Sequence, residues 1–315
     1  MILVAGSSNL DFVVRAHHIP APGETVLGRD FKTFPGGKGA NQAVACARAG
    51  GAPTTLLTAL GADSFASPLE NSLREASVVA HVVRVKDQPT GTAFICVSDD
   101  AENAITVAPG ANLCLLEQHL PTLQDVSHLL MQLEIPLGTV AAYAKLARQQ
   151  GVTTVLNAAP IQPLPAELLE SIDILVVNEG ELASLSGHSG SIAECLERIH
   201  VPTVVVTLGH RGCCARFKGT YLVQPACAVT PVDTTAAGDT FCGALVAALS
   251  NGADMARALA VAGAAGALAC TRLGAQSSIP HRAEVDTFLS QQPEKSAQAA
   301  DTLATYCGLP AGTYS

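Results

Sequence analysis

At 315 residues the chain is long enough to bury a large core within a single α/β unit. A net charge of -9 argues against a phosphate-backbone partner, and despite 48% hydrophobic residues no apolar run reaches the roughly 18 residues of a membrane span. Ten scattered cysteines, with no C-x-x-C pair and no zinc-type Cys/His spacing, read as reduced, buried small hydrophobes.

The N-terminus enters an apolar run at once, without a basic stretch or cleavage site, so no secretory signal is expected and a cytoplasmic location follows. Short apolar runs then alternate with longer helical patterns, the signature of a mostly parallel sheet covered by helices. Strands are expected at Ile2–Ala5, 54–60, 129–133, 153–156, 174–177 and 203–208. Polar groups follow most of them: Gly6-Ser-Ser-Asn9-Leu-Asp11, Gln132-Leu-Glu134, Asn178-Glu-Gly-Glu181 and Gly209-His-Arg-Gly212. Ligands of open α/β sheets bind outside the carboxyl ends of the strands, so these groups predict one site along one edge. Segments 12–34 and 92–107 break the alternation and read as extra strands, which could form a small sheet covering the site or pairing subunits. The run 258–270 is too short and too rich in Gly and Ala for a span, and reads as a tightly packed core helix. From about residue 290 the chain turns to Gln, Ser, Ala and Glu, a short helix or loose tail with no assigned function.

Two glycine-bearing motifs fail as nucleotide fingerprints. In Phe34-Pro-Gly-Gly-Lys-Gly-Ala-Asn-Gln42, Lys38 is followed by Gly39 instead of Ser or Thr, and Lys32 occupies the first glycine position of a Walker loop. Gly6 is followed by Ser8 and Asp11, which breaks a Rossmann fingerprint and disfavours a dehydrogenase. The Gly-Gly-Lys-Gly-Ala-Asn run is expected to bring backbone close to a small polar ligand, with Lys38 and Asn41 supplying directional hydrogen bonds; glycines at a helix start are also ordinary punctuation.

The sharper feature is Val232-Asp-Thr-Thr-Ala-Ala-Gly-Asp-Thr-Phe241, in which Asp233 and Asp239 bracket small residues ahead of an apolar helical run. Ala236, Ala237 and Gly238 would open that helix, and their unpaired amides together with the helix dipole form an anion site. An aspartate in a first helical turn is also favourable for purely structural reasons. Its pairing with an anion hole, on the edge where hydroxyl-binding groups gather, fits phosphoryl transfer. There, positioning and electrostatic stabilisation do most of the work and a modest carboxylate base suffices.

These two motifs resemble the signatures of the ribokinase family of carbohydrate kinases, and the resemblance runs from about residue 2 to 289, supported by Pro22-Gly-Glu-Thr25, Met131-Gln-Leu-Glu134 and Thr271-Arg-Leu-Gly-Ala-Gln276. It implies a three-layer α/β/α fold with a mostly parallel central sheet and a small β-sheet lid, a kinase unit at 1–289 and a tail at 290–315. It further implies Asp239 as the base acting on the primary 5-hydroxyl of D-ribose, with the amides of Ala236 to Gly238 stabilising the transferred phosphoryl group of ATP. Asn9, Asp11, Gly37, Lys38, Asn41 and Glu134 would hold the sugar hydroxyls. Asn178 and Glu181 would organise Mg²⁺ and the ATP phosphates, Thr207, Gly209 and Gly212 would line the nucleotide site, and Gly263 would lie near the adenine. A monovalent-cation loop for K⁺ maps onto Asp233, Thr235, Ala269, Arg272, Gly274 and Ser278, mostly through carbonyls, and the lid implies a homodimer. His210, Cys242 and Pro109 depart from the family's usual choices without removing a needed chemical group. With 4% aromatics and no tryptophan the composition favours a bare sugar over a nucleoside; 2-deoxyribose, a ketohexose, a nucleoside and a non-catalytic sugar or nucleotide sensor stay open as alternatives.

Overall fold

The computed structural model describes residues 1–100, 102–292, 297–310 and 312–314. Its strands are β1 (Ile2–Ala5), β2 (Asn9–Arg15), β3 (Asp30–Gly36), β4 (Thr54–Gly61), β5 (Val79–Val85), β6 (Gly91–Val97), β7 (Asn103–Ala108), β8 (His128–Met131), β9 (Thr153–Asn157), β10 (Ile174–Asn178), β11 (Thr203–Thr207), β12 (Gly212–Phe217) and β13 (Thr220–Pro225). Its helices are α1 (Lys38–Arg48), α2 (Ala66–Glu75), α3 (Leu137–Gln149), α4 (Ala166–Leu169), α5 (Glu179–Ser186), α6 (Ile192–Glu197), α7 (Ala237–Ser250), α8 (Met255–Ala269), α9 (Arg282–Gln291) and α10 (Ala297–Cys307).

Nine strands form one sheet in the order β13-β12-β11-β10-β9-β8-β1-β4-β5. Strands β4, β5, β1 and β8 to β11 are parallel, while β12 and β13 extend one edge as an antiparallel hairpin. The central strands are apolar on both faces because each face is covered. Leu3 and Ala5 of β1 join one core with Val204 and Val206, and Ile2 and Val4 join the opposite core with Val205. The first core takes side chains from α3, α6 and α10, and the second from α1, α7 and α8. The small side chains of α7 and α8 let helices lie close: a Cβ on Gly243 would stand 2.5 Å from both the Gln42 carbonyl oxygen and Ala45 Cβ of α1.

The smaller sheet runs β3-β2-β6-β7. Its strands overlap the two segments that broke the helical alternation, with residues 16–29 as the connection between β2 and β3. Asn9 and Asp11 already lie within β2, so only Gly6 to Ser8 separate the main sheet from the lid. The expected strand at 129–133 is shifted to His128–Met131, because Leu133 has left the ladder and its N–H donates to the Ala159 carbonyl. Strands β5, β12 and β13 were not expected: β5 lies at an edge and is largely exposed, and β12 and β13 lack a crossover helix that would announce them. Among the described residues no helix is long and apolar enough to cross a membrane.

Candidate active site

Asp239 stands in the first turn of α7 and is buried. Helix α7 begins abruptly because Ala236 holds a left-handed backbone at φ 58°, which costs a β-carbon-bearing residue about 1–2 kcal/mol. The first α-helical bond here runs from the Thr240 N–H to the Ala236 carbonyl, and the Ala237 N–H donates to the Thr234 carbonyl at 3.2 Å. The anion site anticipated across Ala236 to Gly238 is thereby narrowed, since the Ala237 amide is engaged in the turn. Gly238 is exposed, with open space where a β-carbon would be, so its backbone admits a close ligand.

The Asp239 carboxylate is held from one side of α1. Asn41 Nδ2 donates to Oδ2 at 3.0 Å, and Gln42 Nε2 donates to Oδ1 at 2.9 Å. Gln42 is fully buried; its Nε2 also reaches Asn157 Oδ1 at 3.0 Å, and its Oε1 accepts from Gln132 Nε2 at 2.6 Å. The Oδ1 of Asn41 is buried with no hydrogen-bond partner. An unpaired acceptor beside a buried carboxylate costs stability and is suited to a ligand hydroxyl.

The start of α1 is packed against the β1–β2 connection. Gly37 adopts φ 88°, and a Cβ there would stand 2.7 Å from the Asn9 nitrogen and 2.8 Å from Ser8 Cα. The Gly-Gly-Lys-Gly run thus approaches the chain's own backbone, where the sequence had suggested close approach to a ligand. Glu134 Oε2 accepts from the Lys38 N–H at 3.1 Å and from Ser7 Oγ at 2.5 Å, so this carboxylate satisfies the opening turn of α1. Asn112 Nδ2 donates to Asn9 Oδ1 at 2.8 Å, and its Oδ1 accepts from the Ser8 N–H at 3.0 Å. Pro109 precedes the 3-10 turn that carries Asn112.

Two openings flank this buried network. An open cleft of about 240 Å³ is lined by Lys38, Asn178, Glu181, Thr207, Gly238 and Asp239, among others. Lys38, expected with the sugar-binding group, therefore faces the same space as Asn178 and Glu181. Asp239, with Glu134 and Glu181, holds the Lys38 ammonium above the usual lysine range against the opposing effect of burial. Burial pushes Glu181 up from the ordinary carboxylate range. Asn178 and Glu181 form a reciprocal capping box, each accepting from the other's N–H at 2.8 Å. Gly209 and Gly212 bound the turn from β11 into β12, and Gly263 lies on α8 with its α-carbon turned toward Gln224; none of the three lines the cleft.

The second opening, about 660 Å³, lies beneath the lid and is lined by Asp11, Lys32, Phe34, Ile105, Asp233 and Gly274, among others. Burial foremost, then Glu134 and Asp239, raise the Asp11 carboxyl to about 7. Asp233 joins two loops: Oδ1 accepts from the Thr235 N–H at 2.9 Å and hydroxyl at 2.6 Å, and Oδ2 from the Gly274 N–H at 2.9 Å. Ala269 is buried at the end of α8, Arg272 pairs its side chain with Glu284, and Ser278 donates to the Ala275 carbonyl at 2.8 Å. Gln42, Asn157 and Asn112 had not been assigned to the site, and Ser7 and Gln132 had been placed on its edge without a role. Gln132 and Asn157 carry the signal of polar residues at strand ends; Gln42 carries only its place beside Asn41.

The family model for pfkB family carbohydrate kinases matches residues 1–282. The chain is 39% identical to a ribokinase of Haemophilus influenzae, across 91% of this chain and 98% of that relative. It is 36% identical to a ribokinase of Staphylococcus aureus, across 90% and 98%. Its fold superposes on a ribokinase from Thermotoga maritima with a TM-score of 0.84 at 38% identity, covering 92% of this chain and 99% of the other. It also superposes on Arabidopsis thaliana ribokinase complexed with ribose and ATP, with a TM-score of 0.83 at 33% identity, covering 92% and 99%. The chain belongs to the pfkB family of carbohydrate kinases.

Proposed function

We propose that this chain transfers the γ-phosphoryl group of ATP to the primary 5-hydroxyl of D-ribose, giving D-ribose 5-phosphate and ADP. The observation that carries the reading is Asp239, buried at the start of α7, fixed by two amide donors and placed beside the unpaired Asn41 Oδ1. Relatives named ribokinase at 36–39% identity supply the sugar.

Asp239 accepts the proton of the attacking hydroxyl as the new O–P bond forms and the bond to the departing ADP oxygen breaks. The dipole of α7 and the Gly238 amide oppose the negative charge of the transferred group. Lys38, facing the same cleft, adds a fixed positive charge. Asn9, Asp11, Asn41 and Gly37 form the sugar side, and Glu134 holds the loop that presents them. Asn178, Glu181 and Thr207 form the nucleotide side of the cleft, and the nucleotide extends past it toward Gly209, Gly212 and Gly263. Among the described residues no group of three or more His, Cys, Asp or Glu gathers as a metal site. Asn178 and Glu181, which line the cleft, would help to hold Mg²⁺ together with the ATP phosphates. Bound Mg²⁺ neutralises phosphate charge. A K⁺ ion held by carbonyls near Asp233, Thr235, Ala269, Arg272, Gly274 and Ser278 would brace the loop that leads into α7. The exposed apolar lid residues Phe31 and Phe94, on the face opposite the opening, support a homodimer through the lid. Residues 1–289 carry the catalytic groups of a cytoplasmic enzyme, and α10 of the following segment packs into the same core.

The test is ADP release with MgATP and K⁺, comparing kcat/KM for D-ribose, 2-deoxy-D-ribose, D-fructose and nucleosides. Preference for ribose supports the reading. Preference for another acceptor overturns the substrate while leaving the chemistry of Asp239, and sugar binding without ADP release identifies a sensor.

A further inference from the structure

The relatives are covered almost to their full length by about nine-tenths of this chain, and the matched family region ends at residue 282, ahead of α10. Helix α10 is nevertheless integral to the structure. Leu303, Ala304 and Cys307 are buried in the core beneath β12 and β13, alongside Cys214 and Val223. At the flank of this buried stripe, the exposed Tyr306 bridges two segments that adjoin the cleft. Its hydroxyl donates to Glu179 Oε1 at 2.8 Å, and its ring lies 4.3 Å from the Arg211 guanidinium carbon. Glu179 directly follows Asn178 at the start of α5, and Arg211 lies in the turn from Gly209 to Gly212 after β11.

We infer that Tyr306 is a positioning residue for the nucleotide side of the cleft, fixing the β10–α5 and β11–β12 connections relative to each other. The inference rests on the kinase reading given above. Each connection leaves the sheet at a cleft-lining residue, Asn178 on β10 and Thr207 on β11; the ladder holds those two together, so what Tyr306 sets is the course of the two loops that follow them. The sugar side is built from β2, α1 and α7, and neither of these two Tyr306 contacts reaches those elements. The two contacts are separable: the hydroxyl engages Glu179, and the ring engages Arg211.

The test compares the intact parent chain with Tyr306→Phe, which keeps the ring, and Tyr306→Ser, which keeps neither contact. KM for MgATP should rise about twofold in Tyr306→Phe and a further two- to fivefold in Tyr306→Ser, the range of an exposed cation–π contact. KM for ribose should stay within twofold of the parent. An unchanged KM for MgATP, or a parallel rise in both KM values with a lowered Tm, would overturn the inference in favour of general support of the core. Should Tyr306→Ser not fold, Arg211→Gln tests the ring contact alone and should raise KM for MgATP by the same two- to fivefold. Ribose-dependent ADP release by the parent separates failure of this inference from failure of the kinase reading.

Discussion

Replacing Gln42 by glutamate changes little in volume and everything in the electrostatics around Asp239. The parent side chain gives one amide nitrogen to Asp239 Oδ1 and Asn157 Oδ1 and accepts from Gln132. In the variant the acceptor toward Gln132 survives, while the donor facing Asp239 becomes a second acceptor about 2.9 Å away. A hydrogen bond to a charged group contributes roughly 1.5–3 kcal/mol. At about 1.4 kcal/mol per factor of ten, its loss from an ordered base corresponds to about a 10- to 150-fold fall in kcat. Two carboxyls at that separation also compete for one proton, which raises the pKa of the base, so the acidic, rising limb of the kcat profile should move to higher pH. Steady-state ADP release between pH 5 and 9, alongside the Tm of each protein, measures both effects. A folded Gln42→Glu protein with the parent's kcat and pH profile would refute the assignment of Gln42 as the group that orients Asp239.

Asp239→Asn should lower kcat by several orders of magnitude while ribose binding, followed by calorimetry, persists; a rate within a few-fold of the parent would remove Asp239 as the base. Asp11 carries a carboxyl raised to about 7 against an ordinary value of 3.8, so its folded form holds the proton more tightly. Its contribution to stability is therefore fully present below pH 3.8 and lost as pH rises through 7, and Asp11→Asn should gain stability relative to the parent over that window in urea titrations. Gly37→Ala places a β-carbon in a left-handed backbone and within 3 Å of Ser8 and Asn9, which should cost at least about 2 kcal/mol in urea unfolding. Exchanging K⁺ for Na⁺ or a bulky organic cation should reduce turnover through the Asp233 loop, and identical kinetics in all three salts would dismiss that site.

Local chemistry and long-range chemistry were unequally legible in the sequence. The buried parallel strands announced themselves as apolar runs, and the break at 12–34 and 92–107 marked the strands of the small sheet. Asn178 and Glu181 could be found together because a capping box is written in four consecutive residues. Gln42 could not, because its role depends on how closely α1 crosses α7, a distance set by Gly243 some two hundred positions away. Glu134 shows the same limit from the other side. It was expected to face a sugar hydroxyl, and its Oε2 also accepts from Ser7 and the first amide of α1, long-range contacts that no local pattern displays. Strand β5 escaped notice because an edge strand carrying His81 and Arg84 has no continuous apolar run to display.

The short connections between the small sheet and the main body have a mechanical meaning. Three residues link β1 to β2, and a single residue, Gly37, links β3 to α1. The small sheet is thus a lever with no slack, and its fulcrum is the same backbone that sets Asn9, Lys38 and Asn41. Tilting its far end must rotate those side chains, so any body that grips the outer strands, including a second subunit, holds a handle on the pocket itself.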